Sequence, residues 1–336
     1  MKQAIAAAFL VLAVLFGVPW VLSAPQDAQQ PEQETPSQPE KTATEKEPAQ
    51  ALRDAQVTLR VWNGKKVVKM TMEKYLQGVV RGEMPASFEP QALAAQAAAE
   101  RTYIYYQMSG GPKKAHPKAD ICMDSTCCNA WVSDKAARKR WGEHAEEYAE
   151  KIARAVADTD GQVMLYGDKP ILAVFHSSSA GVTAESQDVW ASALPYLKSV
   201  KSPESKETVP NYYSVNTFST EEFRRLFLAA HPEADFSGGV ESWIGKPRRN
   251  ASDRVEKITI GGISVAGTEV RSIFSLRSAC FTVETKGDSI IFHVTGYGHG
   301  VGMSQYGANA LAAQGMDWQE ILHWYYTDVT IAPYTK

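Results

Sequence analysis

The chain has 336 residues, 44% hydrophobic and 22% charged, an ordinary globular balance with length for one large domain or two small ones. A formal net charge of −3 gives no basic surplus, so nothing points to a nucleic-acid partner. Four cysteines are few, and the clustering of three of them within seven residues matters more than their number.

In chain order, residues 4 to 22 come first, an uncharged run of 19 behind Lys2. It approaches the ~20 residues that span a bilayer and exceeds the apolar core of about 7–15 residues usual in a cleaved signal. An uncleaved anchor over residues 1–24 is the expectation, with a signal peptide cleaved after "LSA" as the alternative. Either exports the rest of the chain. Residues 25–54 are rich in Pro, Gln, Glu and Thr and almost free of bulky apolar side chains. Such a segment cannot offset its ordering entropy, and it reads as a disordered tether. A single domain over 55–336 follows.

That domain opens with two alternating runs around Asn63-Gly64, a hairpin signal. "TMEKYLQGVVRGE" predicts a helix ending near Gly82, and "MPASFEP" a turn. "QALAAQAAAERTYIYYQM" predicts an interior helix, with Pro90 in its first turn. A cysteine-bearing loop and a helix over 134–157 come next. "GQVMLY" and "PILAVFHSS" read as strands. Ser219 with Glu222 predicts a capping box for a helix, and two hairpins follow, "RVEKITIGGISVAG" and "CFTVETKGDSIIFHVTG". Helices at 304–314 and 318–326 close the chain, the second capped by Asp317 with Glu320. Helices and hairpins interleave without βαβ spacing, which favours α+β.

Four stretches could carry chemistry. Glu83 sits at a seam between two predicted helices, among Val79, Val80, Met84 and Phe88. A carboxyl held among apolar groups keeps its proton nearer neutrality, as a general acid requires; a solvated helix-end glutamate is the bland alternative. His116, Cys122, Cys127 and Cys128 lie within 13 residues and suit one tetrahedral zinc; disulfide chemistry is the alternative, and Cys280 is remote. With four protein ligands such a metal would be structural. The serine-rich "FHSSSAGVTAESQDVWASALPYLKSV" reads as a polar groove with aromatic walls, which suits sugars. No GxSxG elbow supports a Ser178–His299–Asp188 triad. In "GYGHGVGMSQYGANALAAQG" glycines frame His299, as though something must approach closely.

"GVVRGEMPASFEPQALAAQAAAERTY", "FHSSSAGVTAESQDVW…PYLKSV" and "GYGHGVGMSQYGANALAAQG" occur in the order seen in the stage II sporulation protein D family, which this sequence resembles over residues 56–330. That family is known as peptidoglycan lytic transglycosylases of spore-former engulfment, with relatives that enhance cell-wall amidases. The resemblance implies that Glu83, in the "EMP" position, is the catalytic acid/base. It implies glycan contacts from Thr183, Tyr196, Lys198, His299, Ser304, Gln305 and Tyr306. The cysteine loop looks like the family's zinc-holding insertion, with Cys127 where relatives can have histidine. Peptide-denuded glycan strands are the implied substrate and stage II sporulation proteins P and M the implied partners. The implied location is the cell membrane, with the domain outside the cytoplasm. His299 would then reach a sugar chain; a turn with a buried, hydrogen-bonded histidine is the alternative.

Ordinary glycosidases use two carboxylates. Glu83 is the one convincing candidate, since Glu89 and Glu100 lie in or beside a helix without an obvious facing geometry. A lytic transglycosylase needs only one. The rivals are a noncatalytic wall-binding activator of an amidase and a zinc amidase, which would need an open metal position.

Overall fold

A computed structural model describes residues 53–190 and 192–335. The expected anchor and nearly all of the expected tether lie outside the described residues. Among the described residues no helix is long and apolar enough to cross a membrane.

Eight helices organise the described chain: α1 (Met72–Glu83), α2 (Pro90–Gly110), α3 (Asp134–Trp141), α4 (Ala145–Asp158), α5 (Thr220–Ala230), α6 (Gly267–Ile273), α7 (Gln305–Ala313) and α8 (Trp318–Tyr325). The mixture of helices with short sheets agrees with the α+β expectation. The first hairpin forms as expected, Thr58–Trp62 against Val67–Thr71. Its first strand also pairs in parallel with Ile121–Cys122, bringing Cys122 beside Trp62.

The Thr71 hydroxyl caps α1 by accepting from the Lys74 N–H. The helix stops where Met84 precedes Pro85, because a residue before proline is pushed out of the α region; Met84 is extended at φ −122°, ψ 140°. Glu83 is therefore the last helical residue.

Helix α2 is the spine. Alanines at 92, 94, 95 and 97–99 are all buried, so neighbouring helices approach it from every side. It packs on α1, α4, α7 and α8 and on the strand Gln162–Tyr166. Ionisable side chains also lie within this packing. Arg101 is fully buried and grips Asp54 through two hydrogen bonds, Nε to Oδ1 at 2.8 Å and Nη2 to Oδ2 at 2.6 Å. Its remaining donors reach Thr159 Oγ1 and the Val156 and Gln162 carbonyls. Breaking a buried pair strands the surviving charge. Arg101→Met should thus cost about 3–5 kcal/mol of stability. Urea unfolding tests this, and a loss below about 1 kcal/mol, the range of an exposed pair, would mean that Asp54 escapes to water.

The interior divides into two apolar clusters. The larger surrounds α2 and includes α1, α7 and α8. The second is aromatic and lies between residues 223 and 294, with Phe223, Phe227, Phe274 and Phe292 stacked under two three-stranded sheets. Both late hairpins belong to it: Val255–Ile260 with Ile263–Ala266, and Phe281–Lys286 with Ser289–Thr295.

Three local expectations need correction. The helix expected over 134–157 is two, because Gly142 turns left-handed at φ +59° and separates α3 from α4. "PILAVFHSS" is largely irregular, with only Lys169–Pro170 and Phe175–His176 as strand. Ser219 caps α5 through the Glu222 N–H without a return bond from the Glu222 side chain, whereas Asp317 and Glu320 complete a full box. The strands Tyr213–Ser219 and Thr330–Pro333 and helix α6 carry too little periodicity to be read in advance.

Candidate active site and metal centre

Glu83 leaves the end of α1 half-buried. Its Oε1 accepts the backbone N–H of Ala130 at 2.5 Å. Its Oε2 has no protein partner and is not among the buried unpaired atoms, so it remains open. Burial raises its pKa above the ordinary glutamate value, and the Ala130 N–H opposes this in part. The carbonyl end of α1 acts in the same direction as burial, since it disfavours negative charge.

The donor arrives because residues 128–132 dock along α1. The Val132 N–H binds the Gly78 carbonyl at 2.9 Å. A Cβ on Gly78 would overlap the Trp131 indole, and one on Gly82 would overlap the Ala130 backbone. The two glycines, one turn apart, make the flat strip that lets this segment reach Glu83.

A second carboxyl lies behind. Glu100 on α2 is fully buried, accepting from Gln96 Nε2 at 2.9 Å and from Asn129 Nδ2. Burial pushes its pKa well above the ordinary value, and Glu83 adds to this. This corrects the reading of Glu100 as lacking a facing geometry: it is joined to Glu83 through residues 129–130. The sequence signal was a Gln96–Glu100 pair at i, i+4 in an otherwise alanine-rich helix.

From the opposite side comes α7. Gln305 Nε2 donates to the Glu83 carbonyl at 3.1 Å, with a longer contact to Gln96 Oε1 at 3.5 Å. The Tyr306 ring meets the edge of Phe88 at 4.9 Å between centroids. Gln305 is thus the candidate binding residue brought to Glu83, while Tyr306 lies against Phe88. Ser304 is buried; its hydroxyl caps α7 at Gly307 and donates to Glu204 Oε1 at 2.5 Å. Thr183 is also buried, and its Oγ1 accepts from the Val200 N–H at 2.9 Å. Buried Tyr196 accepts from the Leu172 N–H. Lys198 is exposed.

The glycine-framed loop holds His299 half-buried between His176 and Trp190. Its Nδ1 accepts from the Val301 N–H, and the ring also bonds the Phe175 backbone. Burial first, then the Arg271 and Arg254 guanidiniums, push its pKa down to about 4, so it is neutral at ordinary pH. What approaches the glycines is the protein itself. A Cβ on Gly302 would overlap the Val174 carbonyl and one on Gly300 the Arg254 guanidinium, and both glycines have positive φ.

The four proposed metal ligands come together. One donor atom each from His116, Cys122, Cys127 and Cys128 lies within 4.8 Å of all the others. The thiols are free, with Cys127 and Cys128 Sγ 3.9 Å apart, where a tetrahedral zinc wants sulfurs roughly 3.8 Å apart. His116 Nδ1 faces the Ala119 carbonyl, leaving Nε2, 3.4 Å from Cys128 Sγ, as the ligand. The donor set fits a closed Cys₃His site. Cys280 stands apart, buried near Asp253. A cavity of about 570 Å³ lined by Lys74, Gln77, Arg81 and Trp131 contains none of the candidate residues.

Comparison with known proteins places the chain among its relatives. The family described as SpoIID, stage II sporulation protein, matches residues 63–166, which include Glu83 and the four-ligand loop. The chain is 36% identical over 299 residues to stage II sporulation protein D of Bacillus subtilis (strain 168), covering 87% of this chain and 85% of that one. It is 36% identical to the protein of that name from Bacillus amyloliquefaciens, over 84% of this chain and 80% of that one. An amidase enhancer of Bacillus subtilis (strain 168) is 28% identical over 77% of this chain and 40% of its own length.

Proposed function

The chain belongs to the stage II sporulation protein D family, and on that premise we propose that it is a peptidoglycan lytic transglycosylase of sporulation, with Glu83 as its acid and base. The observation that carries the reading is a carboxyl with one oxygen fixed by a backbone N–H, the other open, and a raised pKa.

Protonated Glu83 gives its proton to the glycosidic oxygen between muramic acid and glucosamine as the C1–O bond breaks. The resulting carboxylate then takes the proton of the muramic acid 6-hydroxyl. That oxygen closes on C1 and leaves a 1,6-anhydro end. Glu83 finishes protonated, no water is consumed, and no second carboxylate is needed, unlike hydrolysis. His116, Cys122, Cys127 and Cys128 would hold one Zn²⁺, which with four protein ligands would supply fold energy and no site for substrate water. That closed set disfavours a zinc amidase.

Peptide-denuded strands are the proposed substrate, stage II sporulation proteins P and M the proposed partners, and the extracytoplasmic face of the cell membrane the proposed location. Lys198 and Tyr306, with free surface, would touch glycan, while buried Thr183, Tyr196 and Ser304 would shape the wall. Lys198→Ala should then raise KM several-fold with kcat nearly unchanged, the mark of lost ground-state binding. Thr183→Val should instead cost about 1 kcal/mol of stability through the orphaned Val200 N–H. A Lys198→Ala variant that loses kcat alone would refute the division.

Mass spectrometry of products from purified denuded strands tests the reaction. Anhydro ends support it and reducing ends imply hydrolysis. Intact strands would favour an amidase activator, the second reading, which the likeness to an amidase enhancer supports.

A further inference from the structure

A fully buried carboxyl with no cation beside it is costly, and a leucine would pack better in its place. Glu100 is such a group. The ionisable groups acting on it or acted on by it are Glu83 and Tyr75 of α1, Tyr103 of its own helix and Tyr326 after α8. No cation is among them. What it touches is a chain of amides. Its Oε2 takes the Asn129 side chain, and the next peptide N–H, that of Ala130, holds Glu83 Oε1. Its Oε1 takes Gln96, which contacts Gln305, which holds the Glu83 carbonyl. Both ends of residue 83 are thus tied back to one buried side chain.

We infer that Glu100 is a positioning residue for bond cleavage: from inside α2 it fixes Asn129, and through the Asn129–Ala130 peptide it aims the N–H that orients the Glu83 carboxyl. The inference rests on the proposed role of Glu83. Glu100 does not itself move the proton, because no hydrogen bond joins the two carboxyl groups and the path between them runs through a peptide N–H. Burial raises its own pKa well above the ordinary glutamate value, and the nearby Glu83 carboxyl acts in the same direction.

The test uses the full chain, with Glu100→Gln and Glu100→Leu compared on denuded strands across pH. Glu100→Gln keeps the size and, with its oxygen toward Asn129, the one hydrogen bond that the inference needs; it should retain kcat within about threefold with the pH profile unmoved, whereas Glu100→Leu should lose about 10–10²-fold in kcat with KM little changed, as for a misplaced catalytic group. If Glu100→Leu fails to fold, Asn129→Leu breaks the same Glu100–Asn129–Ala130 link one step away. Wild-type kcat and pH profile in the Leu variant would make Glu100 a packing residue and overturn the inference. A Gln variant as inactive as Glu83→Gln would overturn it too, by making Glu100 a proton carrier. Two further readouts need no turnover: hydrogen exchange at the Ala130 amide, and ¹³C titration of the Glu83 carboxyl. Both should change in Glu100→Leu and not in Glu100→Gln. If wild-type protein releases no anhydro ends, the role of Glu83 falls, and these two measurements still decide whether Glu100 sets its carboxyl.

Discussion

Glu83→Gln is expected to fold like the parent and to lose at least about 10²–10⁴-fold of its rate on denuded glycan, the usual worth of a general acid–base. The amide replaces the carboxyl nearly atom for atom, and its oxygen can still accept the Ala130 N–H. What it lacks is a proton that can be given and taken back. The pH dependence follows from the raised pKa of Glu83. Only the protonated form starts the reaction, so wild-type activity should fall as pH rises through that value. Stability moves the same way. The folded state holds this proton at pH values where the unfolded chain has released it, so stability is lost as pH rises between the two pKa values. Glu83→Gln removes that loss and should melt no lower than wild type above neutrality. A well-folded Gln variant that still releases anhydro ends at near wild-type rate would sink the single-acid mechanism.

The half-buried placement of Glu83 was legible because its apolar neighbours and the following Met-Pro are local features. The same proline that ends α1 leaves the carboxyl at the helix terminus. The cluster of His116, Cys122, Cys127 and Cys128 was legible for a similar reason: four donors within 13 residues cannot stray far apart. What holds Glu83 was not legible. Its donor is a backbone N–H 47 residues away, and a peptide group carries no side-chain signal. Glu100 looked like one more helical glutamate, since sequence cannot say which turn of an alanine-rich helix faces the seam. The glycine-framed loop was legible in its backbone. Its glycines predicted a close approach, and Val174 and Arg254 make one. In the aromatic cluster the hairpins were legible from their turns, while Tyr213–Ser219 was not, because it alternates only weakly and joins Ser289–Thr295 from some 70 residues away.

Removing the proposed zinc should disable the same carboxyl from a distance. Without it the loop is held by the short pairing of Ile121–Cys122 with Val61–Trp62, the Arg60–Asp120 ion pair, the Met123 N–H on the Trp62 carbonyl, a bond from the Tyr75 hydroxyl to the Cys122 carbonyl at 2.6 Å, and a turn at Asp124. Those contacts end at residues 127–128, and 129–131 are the residues that meet Glu100, Glu83 and α1. Lys113 lies over this turn, hydrogen-bonded to the Cys127 carbonyl and 3.6 Å from Cys128 Sγ, well placed to offset the negative charge of a Cys₃His zinc site. Structural zinc is worth on the order of 10–16 kcal/mol in small finger peptides, so its loss here should exceed what one turn can resist. Protein purified without added metal should carry about one zinc per chain. Chelation, or Cys122→Ser, should speed hydrogen exchange over residues 116–131 and leave the aromatic cluster at 223–294 protected. Activity should drop on the order of 10²-fold, because a carboxyl whose orienting N–H has moved by an ångström is misplaced for proton transfer. Equal exchange and equal activity with and without metal would break the link between the four ligands and Glu83. Accelerated exchange with full activity would keep the metal as a structural element and show that Glu83 needs no help from Ala130.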